Sequence, residues 1–141
     1  MPRRIREGTA AFDVDVRHGQ KTGFFLDQRE NRFLLRRISK GLDVLNCFCF
    51  SGGFSVNAAL GGAKSVFSVD QDADAIALAR ENFTLNGLPA ASHDFLAADA
   101  FELLDSFKRE GRKFDLIILD PPAFAIFPLT TVIYAIVTVV S

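Results

Sequence analysis

Four hydrogen-bonding side chains each stand at the end of an apolar run: Asn46 after Val44-Leu45, Asp70 after Val66–Val69, Asp99 after Phe95–Ala98 and Asp120 after Leu116–Leu119. In an open parallel sheet, ligands bind just beyond the carboxyl ends of the strands, where such groups are held over a crevice. Asp70 follows Gly53 by seventeen residues, and an acid there can accept two hydrogen bonds from a ribose diol. Its other use would be to cap the next helix, for which Asp72 and Asp74 are better placed. Asp99 suits either an exocyclic amine such as adenine N6 or the N-cap of a helix near Phe101, and the residues leave both open. Ser51-Gly52-Gly53-Phe54 lies between a strand pattern and a helical pattern. A loop of that kind brings a ligand close to backbone, and the N–H groups of the new helix favour a polar or anionic group.

Asp120-Pro121-Pro122 is more specific. Proline lacks an N–H and fixes φ, so two prolines after a central strand cannot continue the sheet. They force a rigid loop that holds carbonyls and the Asp120 carboxylate over the strand end. Phe124, just beyond, is placed to stack on a base. Gln20-Lys21-Thr22-Gly23-Phe24-Phe25 fits neither a helix nor a strand period, and a segment folded over a ligand accounts for it.

The elements that must position these groups follow a regular rhythm. Phe12, Val14 and Val16 alternate with Asp13 and Asp15, which predicts a half-exposed strand in a hairpin. Asp27 with Glu30 makes a capping-box pattern for a helix running to about Lys40. That helix carries Arg29, Arg32 and Arg36 as a basic stripe, read either as a solvated face or as a phosphate contact. Strands are expected at Val44–Cys47, Ser65–Val69, Asp94–Ala97 and Phe114–Leu119, with helices at Gly53–Leu60, after Asp72 or Asp74, and at Phe101–Lys108. Such alternation predicts a doubly wound α/β sheet of about four parallel strands, preceded by a short β-hairpin. The expected division is a hairpin region at 1–18, a Rossmann-like domain at 19–125 and an apolar tail at 126–141.

The 141 residues are 49% hydrophobic and 23% charged, enough for one real core and against disorder. The net charge of −1 hides an asymmetry: residues 1–40 hold ten Lys/Arg against five Asp/Glu, and the remainder six against twelve. A basic entrance on an acidic body suits contact with a polyanion. Cys47 and Cys49, two apart in a strand pattern, are expected to point the same way as reduced, buried thiols. With no second Cys/His cluster, no metal is expected. No apolar stretch follows the charged N-terminus, so the chain reads as cytoplasmic.

The segments GQKTGFFLDQRENR, VLNCFCFSGGFSVNAALGGA, VDQDADAIALARENFTLNG and FDLIILDPPAFA together resemble class I S-adenosylmethionine-dependent methyltransferases, in particular the large-subunit ribosomal RNA enzymes that form 5-methylcytosine. The resemblance runs from about Phe12 to Ala125. It implies a methionine-side cofactor loop from Asn46 to Phe54, including Phe48, Ser51, Gly52 and Gly53. It also implies that Asp70 binds the cofactor ribose and that Asp99 sits by the adenine. Asp120, Pro121, Pro122 and Phe124 would lie at the reactive methyl and the target base, Asp120 also touching the cofactor. Gln20, Lys21, Thr22 and Phe24 would close over the cofactor, and the partner would be ribosomal RNA.

Members of that family begin with an RNA-binding PUA domain, and this chain starts after it. Beyond Ala125 the family has a region that, in the 5-methylcytosine branch, carries a nucleophilic cysteine. Here residues 126–141 are uncharged and rich in β-branched residues. That run is shorter than the roughly 20 apolar residues of a spanning helix, and a frameshifted or truncated end is expected instead of a membrane anchor. Three alternatives stand beside cytosine methylation: a guanine or other target, an inactive cofactor-binding fragment, and a nicotinamide-dependent oxidoreductase. Ser51-Gly52-Gly53-Phe54 departs from the G-x-G-x-x-G turn that the last requires.

Overall fold

The alternation around Phe12 and Val14 forms an antiparallel hairpin, β1 (Arg3–Glu7) and β2 (Ala10–Val14), in a computed structural model that describes residues 3–14 and 28–120. Ala10, Phe12 and Val14 turn inward and are buried, while Arg4 on the outer face is paired with Asp13. Val16 and the Asp27 half of the expected capping box lie outside the described residues.

The first helix, α1 (Arg29–Ile38), starts with Gln28 at its N-cap and no side-chain cap bond. Its basic stripe is not a free face. Arg32 is 2% exposed and makes a two-pronged ion pair with Glu7 of β1, at 2.6 Å on each prong. Arg36 donates to Thr9 Oγ1 and to Asn57 Oδ1, and Arg29 lies over the Phe33 ring. Spacing placed the three arginines together correctly. It could not show that hairpin carboxylate and hydroxyl groups would meet them.

β3 (Asp43–Cys47), α2 (Gly53–Leu60), β4 (Ser65–Asp70), α3 (Ala73–Leu85), β5 (Asp94–Ala97), α4 (Ala100–Glu110) and β6 (Leu116–Leu119) follow in the expected order. The four strands are parallel and lie in the order β5-β4-β3-β6. Val44, Val66, Leu116 and Ile118 pack on one face against Val56 of α2, Phe83 of α3, Leu35 of α1 and the hairpin. Leu45, Cys47 and Val69 pack on the other against Ala100 and Phe107 of α4 and Phe114. Helices on both faces explain why the strands read as continuous apolar runs. Just before β5, His93 Nδ1 accepts the Val66 N–H at 3.0 Å and prolongs the β4 edge with a side chain.

The hairpin is held by α3 in an unusual way. Asn86 Oδ1 accepts the Ala11 N–H at 2.8 Å, and its amide donates to the Ala11 carbonyl at 2.6 Å. Asn82 repeats the exchange with Asp13, at 2.7 and 3.2 Å. Four residues along a helix rise about 6 Å and two along a strand about 6.6 Å. Asn82 within α3 and Asn86 at its C-cap, four residues apart, therefore match alternate residues of β2 and pair its edge as a third strand would.

Among the described residues, no helix is long and apolar enough to cross a membrane.

Candidate functional site

β3 has β4 on one side and β6 on the other, so strand order reverses there and a crevice opens above its carboxyl end. The chain leaving β3 fills that place with a constrained turn. Phe48 has φ of 58° and Phe50 of 51°, left-handed values that cost a bulky residue about 1–3 kcal/mol each. Contacts to neighbouring loops hold them. The Cys49 N–H donates to the Val69 carbonyl and the Phe50 N–H to Asp70 Oδ2, both at 2.9 Å. The Phe48 ring meets Phe101 edge-on, with centroids 5.6 Å apart.

These contacts assemble the expected residues. Asp70, the last residue of β4, also accepts the Asp72 N–H at 3.0 Å. Asp72 in turn is the N-cap of α3, accepting from the Asp74 N–H, which leaves Asp70 free of the capping role. A carboxylate offers about four acceptor positions, so Asp70 retains capacity for a ligand after holding the turn. Asp99 is the N-cap of α4, with Oδ1 accepting from the N–H groups of Phe101 and Glu102. Both bonds fall on one oxygen, so capping and a ligand contact are compatible at this residue. Phe101, two residues on, brings Asp99 to the Phe48 turn. Asp120 follows Leu119, which is paired with Cys47, so Asp120 and Phe48 emerge side by side from neighbouring strands.

Gly52 is the N-cap of α2, with φ of 89°. A Cβ at that position would lie 3.1 Å from the Ala79 Cβ and 3.3 Å from its Cα. Glycine is required both for the turn and for the approach to α3. α2 has no side-chain cap, so the N–H groups of its first turn lack the partner that a capping side chain would supply.

Beneath the turn, Asn46 donates to Ser55 Oγ at 2.8 Å, and Ser55 shares a 2.7 Å bond with Ser68. Asn46 Oδ1 and Ser51 Oγ are both buried without a hydrogen-bond partner. Unpaired buried polar atoms are rare and costly. The uncapped helix start, the acid at Asp70 and these two atoms fit a cofactor with an amino-acid end and a ribose.

Cys47 and Cys49 are buried, unbridged thiols, but they do not point the same way. Cys47 packs with the α4 layer and Cys49 with Ile76 and Ala79 of α3, because the left-handed Phe48 interrupts the strand between them. Burial pushes the Cys47 thiol up to about 12. Burial and then the nearby Asp70 charge raise Cys49 as well. Neither is an activated nucleophile.

Gln20, Lys21, Thr22 and Phe24, and Pro121, Pro122 and Phe124, lie outside the described residues. Three contributors to the site escaped the sequence reading. Nothing in the sequence marks Ser55 or Ser68 as part of the site. Asn82, 0% exposed, donates to the Ser51 carbonyl at 2.8 Å, and its only signal was a second asparagine four residues later, both poor helix formers.

Residues 3–137 match the family model for S-adenosylmethionine-dependent methyltransferases. The chain is 51% identical over 112 residues to the ribosomal RNA large subunit methyltransferase I of Aeromonas hydrophila, covering 79% of this chain and 28% of that protein. It is 52% identical over 121 residues to a ribosomal RNA large subunit methyltransferase of Deinococcus radiodurans, covering 86% and 30%. It thus spans less than a third of the length of these relatives. Among solved structures, a SAM-dependent methyltransferase from Agrobacterium tumefaciens superimposes with a TM-score of 0.79 at 30% identity, over 88% of this chain and 41% of that one.

Proposed function

The chain belongs to the S-adenosylmethionine-dependent methyltransferase family, and from that premise we propose that it binds this cofactor across the carboxyl ends of β3, β4 and β5. We further propose that it serves methyl transfer to a base of large-subunit ribosomal RNA, cytosine at C5. The RNA target is supported by what the Aeromonas and Deinococcus relatives are named for, and the cytosine position by the motif resemblance alone.

One observation carries the cofactor assignment: a single carboxylate, Asp70, ties down the left-handed Phe48–Phe50 turn and keeps acceptor capacity for a ribose diol. The first-turn N–H groups of α2, beginning at Gly53, would receive the amino-acid carboxylate. Asn46 Oδ1 and Ser51 Oγ would gain partners beside it. Asp99 would accept from the adenine amine while capping α4. When bound, the cofactor supplies an electrophilic methyl on sulfur, and the chain's work is to position donor and acceptor in line. Asp120, Pro121, Pro122 and Phe124 would shape the place of the target base, and Gln20, Lys21, Thr22 and Phe24 would cover the cofactor and exclude water. A cytoplasmic location and the division at 18 and 125 belong to the same proposal.

A second reading, a cofactor-binding unit without activity of its own, is favoured by the cysteines. Methylation of a pyrimidine at C5 calls for a thiolate that adds to the neighbouring C6 and is expelled when the C5 proton leaves, and burial keeps both described thiols protonated. Calorimetric titration of the purified chain with S-adenosylhomocysteine, and with NAD as control, tests the cofactor site. Binding of the first alone is expected, and no binding by a folded chain would overturn the assignment. Labelled-methyl transfer to large-subunit RNA, with identification of the modified base, then separates the enzyme from the inactive unit and cytosine from guanine.

A further inference from the structure

We propose that Asn82 is a positioning residue for the cofactor loop, joining the N-terminal hairpin and that loop into one unit. The inference rests on the cofactor reading above and extends it to a residue of α3 outside the crevice lining.

Asn82 is fully buried, and each polar position of its amide is matched to backbone. Oδ1 accepts the Asp13 N–H at 2.7 Å, and Nδ2 donates to the Asp13 carbonyl at 3.2 Å and to the Ser51 carbonyl at 2.8 Å. Asparagine alone has this set of one acceptor and two donors at this length. Aspartate would turn both donor bonds into oxygen against oxygen.

Ser51 is where this matters. Its carbonyl belongs to the peptide that leads into Gly52, whose φ of 89° starts α2. The loop has two strained residues just upstream, Phe48 and Phe50, and strain of this kind persists only where surroundings hold it. Asp70 holds the turn from the β4 side through the Phe50 N–H. Asn82 holds it from the α3 side through the Ser51 carbonyl. The hairpin has a second connection to the same place, since Arg36 links Thr9 to Asn57, and Asn57 donates to the Gly53 carbonyl at 2.8 Å.

Asn86 supplies the control. It makes the same paired exchange with the hairpin at Ala11 but has no bond to the loop. Asn82→Ala and Asn86→Ala each untie one rung of the hairpin, and only the first releases Ser51. In the full chain, at a temperature where circular dichroism shows both variants folded, Asn82→Ala is expected to weaken S-adenosylhomocysteine binding by about tenfold, the order of one lost hydrogen bond. Asn86→Ala is expected to leave it unchanged. Equal affinity in Asn82→Ala and the parent chain would overturn the inference, as would equal loss in both variants. If Asn82→Ala does not fold, amide exchange in the parent chain decides. Saturating ligand is expected to slow local exchange of the Asp13 N–H beyond that of the Ala11 N–H, since linkage is reciprocal, and equal slowing would overturn the proposal. A parent chain that binds no S-adenosylhomocysteine would instead remove the cofactor reading itself, and this inference with it.

Discussion

Asp70 does two things with one carboxylate. It accepts the Phe50 N–H and the Asp72 N–H, and the proposed ribose contact would use the capacity that remains. Asp70→Ala is expected to weaken S-adenosylhomocysteine binding by about 1.5–3 kcal/mol, the range for hydrogen bonds to a charged group. Asp70→Asn, which keeps an acceptor, should fall between the two. Calorimetry on the three proteins checks this, and an unchanged affinity in Asp70→Ala would remove the ribose assignment. The acid was legible in the sequence because it ends an apolar run at a set distance from a glycine pair. Its bond to Phe50 was not, because nothing in a phenylalanine announces a positive φ. The same hidden turn made Cys47 and Cys49 look like neighbours on one strand face.

At the level of elements, His93 shows how a loop residue completes a sheet. Its Nδ1 accepts the Val66 N–H, which requires the unprotonated ring. Burial lowers its pKa from 6.5, against the opposing pull of Asp94. The neutral ring is therefore favoured by folding. Its contribution is present above the unfolded value and is lost as pH falls through the lower folded one. The unfolding temperature should fall as pH drops below about 6.5, the unfolded value, and His93→Gln, which keeps an acceptor without titrating, should drop less. A thermal series on both proteins checks this. The strands of the main sheet were legible as short apolar runs and the helices by their own period, and α2 begins and ends where its apolar spacing said it would. Docking of β2 on α3 was not legible, since asparagine side chains replace a strand there and leave no hydrophobic period to read.

For the whole molecule, the excess of positive charge in the first forty residues is real, but composition does not say which charges are already used. Arg32 and Arg36 face inward on Glu7, Thr9 and Asn57, whereas Arg6, Arg37 and Lys40 are exposed. If RNA meets this end, Arg37→Glu should lower affinity and reduce the salt slope by about one. Arg32→Glu should instead unfold the chain, because leaving Glu7 buried without its partner costs about 3–5 kcal/mol. Filter binding across a salt series, alongside thermal melts, separates the two effects. The paired asparagines of α3 carry one more consequence. A bare strand edge is a template for other chains, and Asn82 and Asn86 keep that side of β2 occupied. Removing both at once should leave the hairpin able to recruit copies of itself. Light scattering that climbs with concentration in Asn82→Ala/Asn86→Ala, and stays flat in each single variant, would show that these two side chains also keep the protein soluble.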